Sequence, residues 1–192
     1  MYEKIFKRLF DLVGSCAAIL LLAPIFIFVP ILIFFTMGNP VLFKHRRTGF
    51  KMIGFNVYKF RTMIDDPNLS EEQRITKLGL FLRSYSLDEL PQFFNVILGE
   101  MSLIGPRPLL PEYDNNYSAE QKTRFDVRPG ISGLAQVNGR NSLEWVEKFD
   151  YDIEYSKNVS FFLDLIICFK TIIVVLKSSG FKPSGEAEKF SK

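Results

Sequence analysis

An uncharged stretch from Leu12 to Phe43 constrains this chain of 192 residues more than any other feature. It exceeds the roughly 18–20 apolar residues that a membrane helix needs. A signal peptide has a shorter apolar core followed by a small-residue cleavage site, and neither fits here. A wholly buried core helix is the other alternative, but a surface helix of a globular protein needs a polar face. The stretch therefore predicts a membrane segment.

Two prolines and two sets of basic flanks indicate how this segment meets the membrane. Pro24 and Pro30 predict a break, because a proline inside a helix removes a hydrogen bond and bends the axis. The basic flanks are Lys4, Lys7 and Arg8 on one side and Lys44, Arg46 and Arg47 on the other. Since basic flanks favour the cytoplasmic side, both can lie there only if the segment enters the membrane and returns. We expect residues 1–43 to form a re-entrant helix–break–helix, with a single span as the alternative.

The segment 160–180 predicts a second membrane-associated helix. Ser160 suits the N-cap position and Gly180 the C-terminal end. Lys170 and Lys177 lie on one face, and most of the other residues are apolar. This pattern favours an interfacial amphipathic helix or a helix packed on the domain, because its apolar run is short for spanning.

Composition excludes several functional classes. A net charge of +3, without a nucleic-acid motif, argues against nucleic acid as a partner. His45 is the only histidine, so catalysis by a Ser-His-Asp triad or a histidine-ligated zinc is disfavoured. Cys16 and Cys168 lie far apart in apolar runs and are interpreted as reduced packing residues.

The remaining residues, 44–192, predict a small α+β domain that is mostly helical with little β structure. The stretch "GFNVYKFRTM", residues 54–63, alternates in the manner of a strand. Ser70 and Gln73 form a capping box before a stripe of apolar residues at helical spacing. Ser142 is predicted to cap an amphipathic helix that ends near Asn158. The helical stripe is Ile75, Leu78, Leu82 and Tyr85.

Cations of this domain lie on the predicted strand 54–63, just before residues 88 and 89, and in the proline- and glycine-rich segments 104–113 and 128–141. Each could be a solvated surface charge. Together they favour phosphate binding, because guanidinium binds phosphate oxygens in a bidentate fork. These cations are Lys59, Arg61, Arg83, Arg107, Arg128 and Arg140.

Asp88 and Glu89, in "RSYSLDELPQFFN", are the candidate reactive pair. With Asp88 as N-cap, Pro91 falls at the third helical position and Gly99 at the C-terminal end, so a purely structural role would explain the aspartate. Among phosphate-suited cations the pair also fits a phosphoryl site. An ionised Asp88 could attack phosphorus, and Glu89 could hold Mg²⁺ against a diphosphate.

Four stretches give the chain a specific resemblance. These are "FKRLFD", "YKFRTM", "SLDELPQFFNVILGEMSLIGPRPLL" and "VRPGISGLAQVNGRN". They resemble the bacterial sugar transferase family, the monotopic phosphoglycosyl transferases, and cover nearly all of the chain. Its length is similar to that of the small single-domain members.

The resemblance implies a Mg²⁺-dependent reaction at the cytoplasmic face of the bacterial inner membrane. A sugar 1-phosphate passes from a UDP-sugar to polyprenol (undecaprenyl) phosphate, with release of UMP, as the first membrane step of glycoconjugate assembly. The intermediate is a phosphosugar bound covalently to Asp88, and Glu89 belongs to the metal site with Asp88. The sugar is left open. The apolar surface would serve membrane lipid or a second copy of the chain, so a homo-oligomer is also left open.

The same resemblance implies further site residues. They are Lys59, Arg83, Arg107, Arg128, Gln136, Asn138, Arg140 and Asp152. The family breaks its re-entrant helix at a Ser-Pro pair, for which this chain has Ala23 and Pro24. The alternative from another functional class is a non-catalytic, membrane-anchored subunit that binds a nucleotide-sugar.

Overall fold

The apolar N-terminal stretch forms two helices that meet at a bend. The computed structural model describes residues 2–139, 142–177 and 190. Helix α1 (Lys7–Leu21) follows a short π-helix and meets α2 (Ala23–Met37) at an angle of 62°. Within the described ranges, no single helix has the length and apolar composition to cross a membrane, whereas this bent pair together has both.

The bend lies at Leu22, directly before Ala23 and Pro24. The backbone there keeps its partners, because the Leu22 carbonyl accepts hydrogen bonds from the N–H groups of Ile25 (2.9 Å) and Phe26 (3.2 Å). Pro24 falls in the first turn of α2, where its missing N–H costs nothing. The break expected at Pro30 is wrong, because α2 continues through this residue.

Helix α1 is attached to the rest of the molecule by polar side chains. Asp11 accepts hydrogen bonds from the Ser102 hydroxyl (2.8 Å) and the Leu103 N–H (2.9 Å). Arg8 donates to two carbonyls near the end of a later helix, and Lys7 forms a buried ion pair with Asp164. Lys7 and Arg8, assigned to a membrane flank from the sequence, therefore serve contacts within the protein.

A two-stranded antiparallel sheet follows. Strand β1 (Leu42–Thr48) pairs with β2 (Gly54–Phe60), placing Phe43 opposite Lys59 and Arg47 opposite Phe55. The predicted strand 54–63 is confirmed in type but ends at Phe60. Arg61 falls beyond it, because its guanidinium donates to backbone carbonyls near the end of α2.

The helical stripe after Ser70 divides into α3 (Glu71–Arg74) and α4 (Lys77–Ser84). The capping box of Ser70 and Gln73 is confirmed. The continuous helix is wrong, because Thr76 caps a new helix by accepting a hydrogen bond from the Gly79 N–H.

Helix α5 (Gln92–Leu98) ends at Gly99, whose φ of 87° confirms the predicted C-terminal glycine. The predicted N-cap is wrong. Asp88 lies in a separate 3₁₀ turn (Leu87–Glu89), and Pro91 occupies the N-cap position of α5.

The C-terminal half combines one short parallel strand pair with three helices. They are β3 (Ser102–Ile104), β4 (Gly130–Ser132), α6 (Leu134–Asn138), α7 (Trp145–Lys157) and α8 (Phe161–Leu176). The predicted cap at Ser142 is wrong, because Glu144 and Glu147 form the capping box of α7. Ser160 is confirmed as the cap of α8. Gly180 lies outside the described residues.

Helix α8 packs on the domain along one face only. Asp164 and Ile167 are fully buried, whereas Phe162, Phe169 and Leu176 are more than half exposed. The molecule is mostly helical with few strands, which confirms the α+β class. The division into segments 1–43 and 44–192 stays a prediction.

Candidate functional site

The Asp88–Glu89 pair is held against the apolar helix pair. Ser86 adopts a left-handed conformation (φ 55°), and the chain then makes the 3₁₀ turn that carries both carboxylates. The two residues that flank the pair, Leu87 and Leu90, pack on a cluster that includes Val29 and Ile33 of α2. This contact places the two carboxylates where the domain meets the bent helices.

Glu89 is the centre of an ion cluster. Its Oε1 atom accepts from Lys59 Nζ at 2.6 Å and from Arg107 Nη2 at 2.9 Å. Burial raises the pKa of Glu89, but the charges of Arg107 and Lys59 outweigh it and hold this pKa well below its usual range. Glu89 is therefore an anion throughout the neutral range, fixed by strand β2 on one side and by the loop after β3 on the other.

Asp88 differs from its neighbour. Its side chain is buried, with 8% of the residue exposed, and it has no hydrogen-bond partner among the described residues. Burial raises the pKa of Asp88 to about 6, against the opposing charge of Lys59 and with that of Glu89. At neutral pH Asp88 is thus an ionised carboxylate with little water around it, a state that favours reactivity as a nucleophile.

Arg83, predicted to bind phosphate, lies on the Asp88 side of the site. Its Nε donates to the Thr62 hydroxyl at 2.9 Å, and its charge lowers the pKa of Asp88. Since that contact uses only one of its five N–H donors, donors are left for a phosphate.

The loop that presents Arg107 is held from beneath by a buried ion pair. Arg124, 3% exposed, donates to the carboxylate of Asp152 at 2.7 Å and to the backbone carbonyl of Arg107 at 2.6 Å. Asp152, predicted as a functional residue, is therefore placed behind the loop. Burial raises the pKa of Asp152, and the Arg124 charge opposes this shift.

Glycines allow this loop to lie directly on the loop before β4. The Gly105 N–H donates to the Ser132 carbonyl, and the Gly130 N–H donates to the Pro106 carbonyl. A Cβ atom at Gly105 would lie 2.2 Å from the Arg128 carbonyl oxygen, so only glycine fits. The two Gly/Pro loops predicted from the sequence are thus brought together.

Other predicted site residues make different contacts. Arg61 donates to the carbonyls of Met37, Asn39 and Met63, and Arg128 donates to the Gly99 carbonyl. Asn138 donates to the Leu134 carbonyl. Arg140 lies outside the described residues. The structure therefore joins Glu89 directly to only Lys59 and Arg107 of the predicted set, within the described part of the chain.

Gln136 is a separate case. Both polar atoms of its side-chain amide are buried and lack a partner within the described residues. Oε1 lies beside Gly133, where a Cβ atom would approach it to 2.7 Å. Its predicted role in nucleotide binding stays a prediction.

Arg124 was missed from the sequence. It stands in "KTRFDVRPG" without a motif or a periodic pattern that separates it from a surface charge. Its position between Arg107 and Asp152, which lie 17 and 28 residues away, is set by tertiary structure.

The carboxylates also suit the expected Mg²⁺. No group of three or more His, Cys, Asp or Glu side chains suited to a metal occurs among the described residues. Magnesium is commonly held by one or two carboxylates together with substrate phosphates and water. Asp88, free of hydrogen bonds within that same part of the chain, and Glu89 fit such a donor set.

Comparison with known proteins finds similarity along most of the chain. A family model described as bacterial sugar transferase matches residues 2–178. The uncharacterized sugar transferase EpsL of Bacillus subtilis is 43% identical over 97% of this chain and 96% of its own length. The UDP-glucose:undecaprenyl-phosphate glucose-1-phosphate transferase of Klebsiella pneumoniae is 40% identical over 88% of this chain and 39% of its own. The undecaprenyl-phosphate galactose phosphotransferase of Salmonella typhimurium is 35% identical over 93% and 42%.

Proposed function

Because the chain belongs to the bacterial sugar transferase family, we propose that it transfers a sugar 1-phosphate from a UDP-sugar to undecaprenyl phosphate and releases UMP. The names of the Klebsiella and Salmonella relatives support the acceptor and the type of reaction. The chain spans about two fifths of those two proteins.

The observation that carries the proposal is the contrast within this pair. Glu89 is fixed by Lys59 and Arg107, whereas the buried Asp88 carboxylate has no hydrogen bond among the described residues. A purely structural aspartate would be expected to cap a helix or to pair with a cation. Among the described residues Asp88 caps no helix and forms no ion pair, so its burial is explained best by a reaction partner that arrives with the substrate.

In the first half-reaction, an Asp88 carboxylate oxygen attacks the phosphorus that carries the sugar. The bond from this phosphorus to the oxygen of the nucleotide phosphate breaks, and the electron pair leaves with UMP. In the second, an oxygen of undecaprenyl phosphate attacks the same phosphorus, and the acyl-phosphate bond breaks. Asp88 is restored as a carboxylate, and the product is a sugar linked to the lipid through a diphosphate.

The surrounding residues stabilise the charges of this reaction. Arg107 and Lys59 lie where non-bridging phosphate oxygens would be neutralised, and Arg124 keeps the Arg107 loop in place. Asp88 and Glu89 would hold Mg²⁺, which when bound neutralises diphosphate charge and favours release of the nucleotide phosphate.

The apolar surface supports a position in the bacterial inner membrane. Side chains of α1 and α2 that face away from the domain are exposed and apolar, among them Leu20, Leu21, Phe28 and Phe35. Those of α8 add to this surface. We propose that the bent pair is re-entrant, α8 lies in the interface, and the carboxylate pair faces the cytoplasm at the level of the lipid headgroups.

Intact-protein mass spectrometry tests the covalent step. The purified chain is mixed with Mg²⁺ and a panel of UDP-sugars without lipid acceptor. We expect an added mass of one sugar phosphate with the correct donor, absent in Asp88→Asn. The matched control Asp65→Asn changes an exposed carboxylate and should keep the adduct.

A UMP-release assay with undecaprenyl phosphate completes this test. Turnover without an adduct would refute the covalent intermediate. Folded protein that releases no UMP from any donor would refute the transferase and favour the nucleotide-sugar-binding subunit.

A further inference from the structure

Arg47 of β1 was assigned from the sequence only to the basic flank of the membrane segment, and no described ion pair explains its position. Its side chain is half-buried, and its only described hydrogen bond is a donation to the neighbouring Arg46 carbonyl at 3.1 Å. It forms no ion pair with any carboxylate in the described ranges. A partly buried guanidinium without a counter-ion is costly, which suggests that an anion supplied from outside completes its environment.

The strand register places Arg47 on the active face of the sheet. Residues directly opposite each other in an antiparallel pair share a face, and faces alternate along each strand. Phe43 lies opposite Lys59 and Arg47 opposite Phe55, so Arg47 shares the face from which Lys59 reaches Glu89. The neighbouring Arg46 is on the other face.

A second contact brings the end of β1 to the Arg107 loop. The Thr48 N–H donates to the Leu109 carbonyl at 3.0 Å, two residues after Arg107. Burial and the charge of Arg107 together lower the pKa of Arg47 to about 10, while the charge of Glu89 opposes this shift. Arg47 therefore stays positive at neutral pH and lies within electrostatic reach of both groups.

The cations thus divide around the carboxylate pair. Lys59 and Arg107 act on both carboxylates, whereas Arg83 acts on Asp88 and Arg47 lies on the side of Glu89 and Arg107. Glu89 is already paired with Lys59 and Arg107. The charges of Glu89 and Glu112 act on Arg47, but Arg47 forms no ion pair with either carboxylate. A diphosphate spanning the pair would place its attacked phosphate beside Asp88 and its other phosphate beside Arg107 and Arg47.

Building on the proposed function, we propose that Arg47 binds the phosphate group that Asp88 does not attack. In the first half-reaction this is the phosphate that leaves with the nucleoside. Since an in-line displacement requires the second attacking group to approach from the side opposite Asp88, the acceptor phosphate occupies the same place in the second half-reaction. One subsite therefore serves the leaving and the entering phosphate in turn.

Binding of UMP compared with uridine tests the subsite without requiring turnover. In lipid nanodiscs with Mg²⁺, wild-type protein should prefer UMP. Arg47→Ala should lose about tenfold or more in UMP affinity with unchanged uridine affinity, because a charge-assisted hydrogen bond is lost. Arg47→Lys should fall between the two, since lysine keeps the charge but not the fork.

Arg46→Ala is the matched control, because it removes the same charge from the opposite face and should leave UMP binding within about twofold. Thermal unfolding confirms that each variant is folded. Equal UMP affinity in wild-type protein and Arg47→Ala would overturn the proposal. So would an equal loss in Arg46→Ala, or a wild-type protein with no preference for UMP.

Chasing the covalent adduct tests the shared subsite. Preformed adduct is mixed with either UMP or undecaprenyl phosphate, and we expect Arg47→Ala to discharge it about tenfold more slowly with both. Normal discharge by undecaprenyl phosphate would refute the shared subsite. Arg47-dependent UMP binding by a wild-type protein that forms no adduct and releases no UMP would instead refute the transferase and leave the phosphate site standing.

Discussion

Two buried carboxylate networks in this molecule differ in how far their charges and hydrogen bonds are satisfied. Around Asp164, which is fully buried, both carboxylate oxygens are occupied. Oδ2 accepts from Lys7 (2.7 Å) and from the Tyr2 hydroxyl (2.6 Å), and Oδ1 accepts from the Tyr155 hydroxyl (2.7 Å). One anion meets one cation, and the network joins the N-terminal helices to α7 and α8.

The network at the site is unbalanced by comparison. Within the described ranges Glu89 is paired with two cations, Arg47 forms no ion pair, and Asp88 is a buried carboxylate without a hydrogen bond. Buried polar groups are normally satisfied, and a partly satisfied network lowers stability. The closed network around Asp164 is explained by folding alone, whereas the open one fits the phosphate ligand that we propose.

The largest effect expected from this comparison is on turnover. Asp88→Ala should reduce UMP release by about three orders of magnitude or more, because it removes the nucleophile that we propose. The measurement is UMP release with undecaprenyl phosphate, and Asp65→Ala is the control. Activity within about tenfold of wild type would show that Asp88 is not the nucleophile.

A substitution in the closed network around Asp164 should change the stability of the protein. Asp164→Asn leaves Lys7 buried without its ion-pair partner, which we expect to lower the free energy of unfolding by about 3–5 kcal/mol. Denaturant unfolding in detergent micelles measures this. Asp65→Asn, which breaks an exposed pair with Arg74, should cost about 0–1 kcal/mol.

A double substitution sharpens the same test. Lys7→Met with Asp164→Leu removes both charges and should recover most of the lost stability, since apolar side chains can replace a buried ion pair. If Asp164→Asn costs no more than Asp65→Asn, the Asp164 network does not join the helices in the way described.

Local signals predicted much of the fold. The capping box at Ser70, the cap at Ser160, the C-terminal glycine at Gly99 and the alternation of β2 depend on residues within a few positions of one another. The bend beside Pro24 also depends on residues that are close together in the sequence. The carboxylate pair and its contacts with Lys59 and Arg107 agree with the cations singled out from the sequence.

Long-range contacts determine the features that could not be predicted from the sequence. Lys7 and Asp164 are 157 residues apart, so nothing local distinguishes them from charges at a membrane flank. Arg61 and Arg128 have the same composition signal as Arg107, but they bind backbone carbonyls instead of Glu89. The 3₁₀ turn replaced the predicted cap because Leu87 and Leu90 pack towards α2.

Glu89→Gln tests the charge balance of the open network. It keeps the shape of the side chain but removes the anion between Lys59 and Arg107. We expect turnover to fall by about 100-fold and the Mg²⁺ concentration for half-maximal activity to rise. A Mg²⁺ titration of UMP release measures both. An unchanged Mg²⁺ requirement would remove Glu89 from the metal site.

The smallest expected effect is on stability, because the substitution of Asp88 that removes activity should stabilise the fold. Because burial raises its pKa from 3.8 to about 6 in the folded protein, ionised Asp88 destabilises the fold above that pH. Asp88→Asn should therefore be more stable than wild type at pH 7, by up to about 3 kcal/mol at ~1.4 kcal/mol per pKa unit. The difference should shrink as the pH falls through 6 and vanish below 3.8, where Asp88 is protonated in both folded and unfolded chains.

Unfolding in EDTA at a series of pH values measures this difference in stability. A wild-type protein more stable than Asp88→Asn at pH 7 would mean that Asp88 is stabilised by contacts like those of Asp164, and the contrast between the two networks would fail.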